Sequence, residues 1–282
     1  MKKQYLFAAA GILVVAILFI FGRTTETKKP VVAPITASGT KVFDINHFIS
    51  DAKAKLTPSQ SIQVSKLENG ISRGDVPAQQ VLASEGLANL WKDSVHLIEP
   101  YLFYLGEASK LDNSEKKLTF AAQLFLDALR GEQDEARMNW LSSEAIDLFE
   151  RAIKLNPSND DLRIGLGSCY IYGRGRSGNP QETMKGIQEL LGVARRDSTN
   201  MKAQLVLGVG GMVSGQVDKA LERFQKVVKN QPDNLEAIAF LADAYAAKGN
   251  KEEAVKWYNI SKRLANNPRY TEEVDKRINS LK

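Results

Sequence analysis

Two stretches of this 282-residue chain copy one another at a fixed separation. Leu207 and Leu241, Gly208 and Ala242, Gly215 and Gly249, Ala220 and Ala254, and Phe224 and Tyr258 each lie 34 residues apart. Upstream, Leu166 and Gly167 stand 41 residues before Leu207 and Gly208, and Asn159 mirrors Asn200. Ala145, Phe149, Ala152 and Pro157 reproduce the offsets of Ala220, Phe224, Val227 and Pro232. The period suits two short helices and a turn. One such pair cannot bury its apolar face alone, so successive units must stack.

The pattern resembles the tetratricopeptide repeat family, whose period is 34 residues, with small residues at two fixed places and an aromatic four after the second. The resemblance covers residues 143–264 well and 100–142 loosely. It implies an all-α solenoid of stacked helix pairs that binds a protein or peptide segment and holds no cofactor. Asn159, Asn200 and Asn234 are placed to cap helix starts, and Pro157 and Pro232 to end the helices before them. The first full unit carries seven extra residues in its internal turn, around Tyr172 to Asn179. Its predecessor should begin with a helix over Glu115 to Arg130, which also reads as the partner of residues 100–111 in a degenerate pair. A last helix opening at Thr271, with Val274, Ile278 and Leu281 on one face, would cover the open end of the stack. No segment alternates apolar and polar residues for long enough to predict a sheet.

Before the repeats, composition divides the chain. Residues 4–22 are uncharged and include a long apolar run, within the about 17–25 residues that cross a bilayer as a helix. No small-x-small cleavage pattern follows Phe21, so an uncleaved anchor is expected, with a cleaved signal as the alternative. Flanking charges nearly balance: Lys2 and Lys3 on one side, Arg23, Lys28 and Lys29 on the other. A short basic tail before the span favours export of the body. The expectation is a single-pass inner-membrane protein with a periplasmic body. Residues 23–43, rich in Pro, Thr and Lys, read as a tether. The expected order is thus 1–22 anchor, 23–43 tether, 44–142 N-terminal helices with a degenerate repeat, 143–264 repeats, and 265–282 a capping helix.

The charge excludes one class of partner. Residues 1–55 hold eight Lys or Arg against Glu26, Asp44 and Asp51, which accounts for the whole formal charge of +5. The folded part is balanced and lacks the basic face a nucleic acid requires. Catalytic chemistry is equally sparse. Gly173, Gly175 and Gly178 satisfy G-x-G-x-x-G, but no strand precedes them, so they read as an inserted turn. Arg174 and Arg176 could meet an anion there. Gly208, Gly210, Gly211 and Gly215 lack the Gly-Lys-Ser/Thr of a phosphate loop. His47 and His96 have no second ligand at helical spacing. Cys169 reads as a buried thiol. An enzyme is not expected, no metal or cofactor is expected, and a nucleotide site in the inserted turn is a remote alternative.

With Leu207 and Gly208 as positions seven and eight of the family unit, the resemblance places the partner-facing groove. It comprises Ile164, Ser168 and Ile171; Lys202, Leu205, Val209, Met212 and Val213; Glu236 and Asp243. Tyr245 belongs to the repeat signature. Lys202 is the sole cation in this strip, so an apolar or amphipathic partner segment is expected rather than an acidic tail. The chain's own helices filling the strip is the rival reading. The functional expectation is a membrane-tethered scaffold assisting assembly of an envelope complex, with a permanent structural subunit as the alternative.

Overall fold

A computed structural model describes residues 42–73 and 76–281. Among them are thirteen α-helices and no strand: α1 Ile45–Lys53, α2 Pro58–Arg73, α3 Pro77–Leu90, α4 Ile98–Asp112, α5 Glu115–Gly131, α6 Glu135–Leu155, α7 Asp160–Tyr170, α8 Pro180–Arg196, α9 Met201–Val213, α10 Val217–Asn230, α11 Leu235–Ala247, α12 Lys251–Ala265 and α13 Pro268–Ser280. Two π-helical turns, Trp91–Val95 and Ile171–Gly175, extend α3 and α7. The helices pair as α5 with α6, α7 with α8, α9 with α10 and α11 with α12, and each pair packs on the next. The stack is an all-α solenoid.

Short polar side chains start the helices. The Asn159 side chain accepts from the Asp161 amide, Asn200 from Ala203, and Asn234 from Ala237. Each satisfies a first-turn N–H that has no helical partner. Gly215 and Gly249 end the turns inside the last two units at φ +73° and +81°, a conformation costly for any residue with a Cβ. This explains their recurrence at 34 residues.

The small positions explain the rest of the period. A Cβ on Gly208 would lie 2.3 Å from the Phe224 ring, and one on Gly167 would lie 2.8 Å from Leu190. Ala242, Ala254 and Tyr258 meet in the same seam of the third unit. In each of these three pairs the first helix keeps a small residue, glycine or alanine, so that a large residue on the second can close over it. A continuous core then runs from Leu102 in α4 to Ala244 in α11. A second cluster joins α1 to α4 around Leu87 and Trp91.

Three expectations change. Residues 100–111 do not form a repeat pair with 115–130; instead α4 pairs with α3, and α5 with α6. The final helix begins at Pro268 rather than Thr271, because Asn267 caps the Tyr270 amide and proline suits the first turn. The single-pass inner-membrane assignment is corrected: among the described residues no helix is long and apolar enough to cross a membrane. Residues 4–22, on which the anchor rested, and most of the tether lie outside the described residues.

The last helix is held by charge as much as by packing. Tyr258 donates to Asp243 at 2.5 Å, and Arg277 of α13 donates to the same carboxylate at 2.9 Å and 3.1 Å and to Glu273 at 2.9 Å. Only Val274 of α13 is buried. Arg277→Ala should therefore free α13 without unfolding the stack. Hydrogen exchange should quicken over 268–280 while α9 and α10 stay protected.

Candidate functional site

The first helices of four successive pairs, α5, α7, α9 and α11, enclose a cavity of about 470 Å³. Gln123, Leu126 and Arg130 come from α5, and Asp161, Ile164 and Ser168 from α7. Lys202, Leu205 and Val206 come from α9, with Asn234 and Glu236 at the start of α11. Apolar side chains make the floor: Leu126, Ile164, Leu205 and Val206 all belong to the main core. Charged groups make the rim, and they answer one another. Lys202 lies 3.1 Å from Asp161, and Arg130 lies 3.5 Å from Glu236 across the cavity.

Half of the strip expected from sequence gathers here. Ile164, Ser168, Lys202, Leu205 and Glu236 line the cavity. The others are elsewhere, for two physical reasons. First, the inserted turn packs on the far half of α9: Ile171 is buried and its Cδ1 would meet a Cβ on Gly210 at 2.9 Å. Val209 is buried in the core at 6% exposure, and Met212 packs against it. Val213 lines a separate cleft of about 350 Å³ with Pro180, Met184 and Ile187. Second, the cap occupies the last unit, where Asp243 is taken by Tyr258 and Arg277. The insert and the cap thus shorten the strip from both sides.

The insert is pinned rather than open. Arg176 donates to the backbone carbonyls of Arg130 at 3.2 Å and of Glu132, where α5 ends. A cation at those unsatisfied carbonyls is favourable. Arg174 donates to Ser143 Oγ at 3.1 Å. A Cβ on Gly173 would meet Ser142 at 2.5 Å, and one on Gly175 would meet Thr183 at 2.7 Å. These glycines serve close packing. Among the described residues no group of three His, Cys, Asp or Glu side chains could hold a metal ion. Burial pushes the Cys169 thiol up, away from the reactive thiolate.

Sequence reasoning missed Gln123, Leu126 and Arg130. The helix bearing them was foreseen, but the long spacing to its partner prevented transfer of the repeat register. Arg130 matters most: its guanidinium sits over the Tyr172 ring, 5.1 Å from the centroid. The Tyr172 hydroxyl is buried without a hydrogen-bond partner. Burial, then the charge of Glu236, pushes its pKa up to about 12, while Arg130 and Arg176 oppose the rise. The folded protein keeps a proton that the unfolded chain releases near pH 10. The resulting stability is full below about pH 10 and is lost as pH rises through about 12. Melting temperature should fall across that window, and Tyr172→Phe should flatten part of the fall while leaving neutral-pH stability unchanged.

With this geometry in place, residues 213–272 match the family model described as tetratricopeptide repeat. Over that stretch the chain is similar to the tetratricopeptide repeat family. It is 29% identical over 110 residues to the BBSome complex member BBS4 of Bos taurus, covering 39% of this chain and 20% of that protein. The chain thus spans about a fifth of the length of the relatives it matches. Among solved structures, the thermophilic tetratricopeptide repeat protein TTC0263 of Thermus thermophilus superposes with TM-score 0.53 at 16% identity. That match covers 71% of this chain and 98% of the other. A MamA protein superposes with TM-score 0.45 at 18% identity, covering 67% and 93%. At these identities the tetratricopeptide repeat likeness concerns the fold.

Proposed function

We propose that this protein is a non-enzymatic scaffold whose cavity between α5, α7, α9 and α11 receives a segment of a partner protein. The cavity itself carries this reading: a concave site with an apolar floor and a charged rim, built by the first helices of four successive pairs. Its floor suits a short apolar patch, and its rim suits polar groups on either side, so the segment is amphipathic. Neither a nucleic acid nor a metal is part of the proposal.

A photo-crosslinking residue tests it. Placed at Gln123 or at Lys202, on opposite walls of the cavity, it should trap the same partner mass. Placed at Lys229, on α10 and outside the cavity, it should not. Different adducts from the two walls, or equal trapping from Lys229, would refute the assignment. Lys202→Glu, at the exposed rim, should reduce trapping from Gln123 severalfold; a variant that still melts normally and still traps equally would place the partner elsewhere.

A further inference from the structure

We propose that the Arg130–Glu236 ion pair is an internal clasp across the cavity, which a partner's carboxylate opens by taking the place of Glu236. This rests on the cavity being the binding site. The pair joins the first and the fourth of the helices that surround it, α5 and α11, with α7 and α9 between them. The pair links the two ends of the four-helix wall across the cavity.

The two members are not equally free. Arg130 is fixed from below by the Tyr172 ring, and its own carbonyl is gripped by Arg176 of the inserted turn. The ring contact holds the guanidinium at the rim independently of Glu236, and the carbonyl contact holds the backbone beneath it. Glu236 stands in the first turn of α11; the two side chains are similarly exposed, 38% for Arg130 and 43% for Glu236, so the ring beneath Arg130 is what separates them. The movable half is therefore the acid. Surface ion pairs are weak and screened by salt, so this one can open and close at equilibrium. The second rim pair, Lys202 with Asp161, is 73% and 67% exposed and joins neighbouring helices, so it closes nothing.

When the clasp opens, Arg130 is left over a buried aromatic ring with its charge unmet. An acidic side chain on an entering amphipathic segment restores the pairing that opening removes. Its apolar neighbours would then reach Ile164 and Leu205 on the floor. The Arg130 position thus determines specificity, and Glu236 acts as an internal competitor.

Spin labels at Gln133 and Asp233, just outside the two helix ends, report the clasp in the full chain. Both sites are exposed, and Cys169 is buried and stays unlabelled. The interspin distance should be short and narrow in the parent. It should lengthen or broaden in Glu236→Gln, in Arg130→Gln and in 1 M salt. The double exchange Arg130→Glu with Glu236→Arg should restore it. Identical distributions in all forms would overturn the clasp while leaving the cavity reading intact. Photo-crosslinking from Lys202 separates the two roles: Glu236→Gln should raise adduct yield severalfold, and Arg130→Gln should lower it. Equal changes from both variants would overturn the exchange.

Discussion

Phe224→Ala lowers the stability of the stack by about 3–5 kcal/mol, the cost of removing a large core ring. Phe224 is fully buried, stacks on Phe240 at 5.5 Å between centroids, and covers the site left open by Gly208. Deleting its ring empties the seam of one helix pair and the face presented to the next. A domain of this size shifts by about 2–4 °C per kcal/mol, so melting should fall by roughly 6–20 °C. Filling the same seam from the other side, Gly208→Leu, forces the ring out, and overpacking costs about 1–3 kcal/mol. Hydrogen exchange should localise both effects to α9–α11. Two variants that melt like the parent would show that this contact does not hold the repeat.

Val209→Glu is the second large effect. The side chain lies in the main core and does not line the cavity. An unpaired carboxylate there costs roughly 3–5 kcal/mol, unless it takes up a proton. Burial raises its folded pKa above the ordinary value near 4.3, so the acid harms least when protonated. The stability of the variant should approach that of the parent below about pH 4 and fall away as pH rises. A variant that loses partner trapping at pH 7 yet keeps its melting temperature would put Val209 on an open surface instead.

Much of the fold was legible in the residues. Small and aromatic positions recur because each pair makes the same close approach, Gly167 on Leu190 and Gly208 on Phe224. Asparagine recurs because each new helix leaves the same first-turn amides unpaired. Turn glycines recur because a left-handed residue is needed there. These are local demands, repeated at a fixed step, and a sequence displays them directly.

The proposed site was legible only by halves. Projecting the family register located Ile164, Ser168, Lys202, Leu205 and Glu236 around one cavity. The same projection put Ile171, Val209 and Asp243 on an open strip, where the structure has them buried or paired. Their fate depends on two segments with no counterpart in a regular repeat, the inserted turn and the cap. Arg130 lies on a helix whose spacing to its partner departs from the period, so no register reached it.

The amino-acid sequence by itself determined the helix pairs of the regular repeats and the caps that start them, because capping, turn geometry and close packing act within some forty residues. Only the tertiary structure decided which surface stayed open. That outcome depends on contacts made by segments outside the regular repeat register: Arg130 with Glu236, Arg176 with the end of α5, and Arg277 with Asp243. Each joins groups from separate elements, and no local pattern encodes such a meeting.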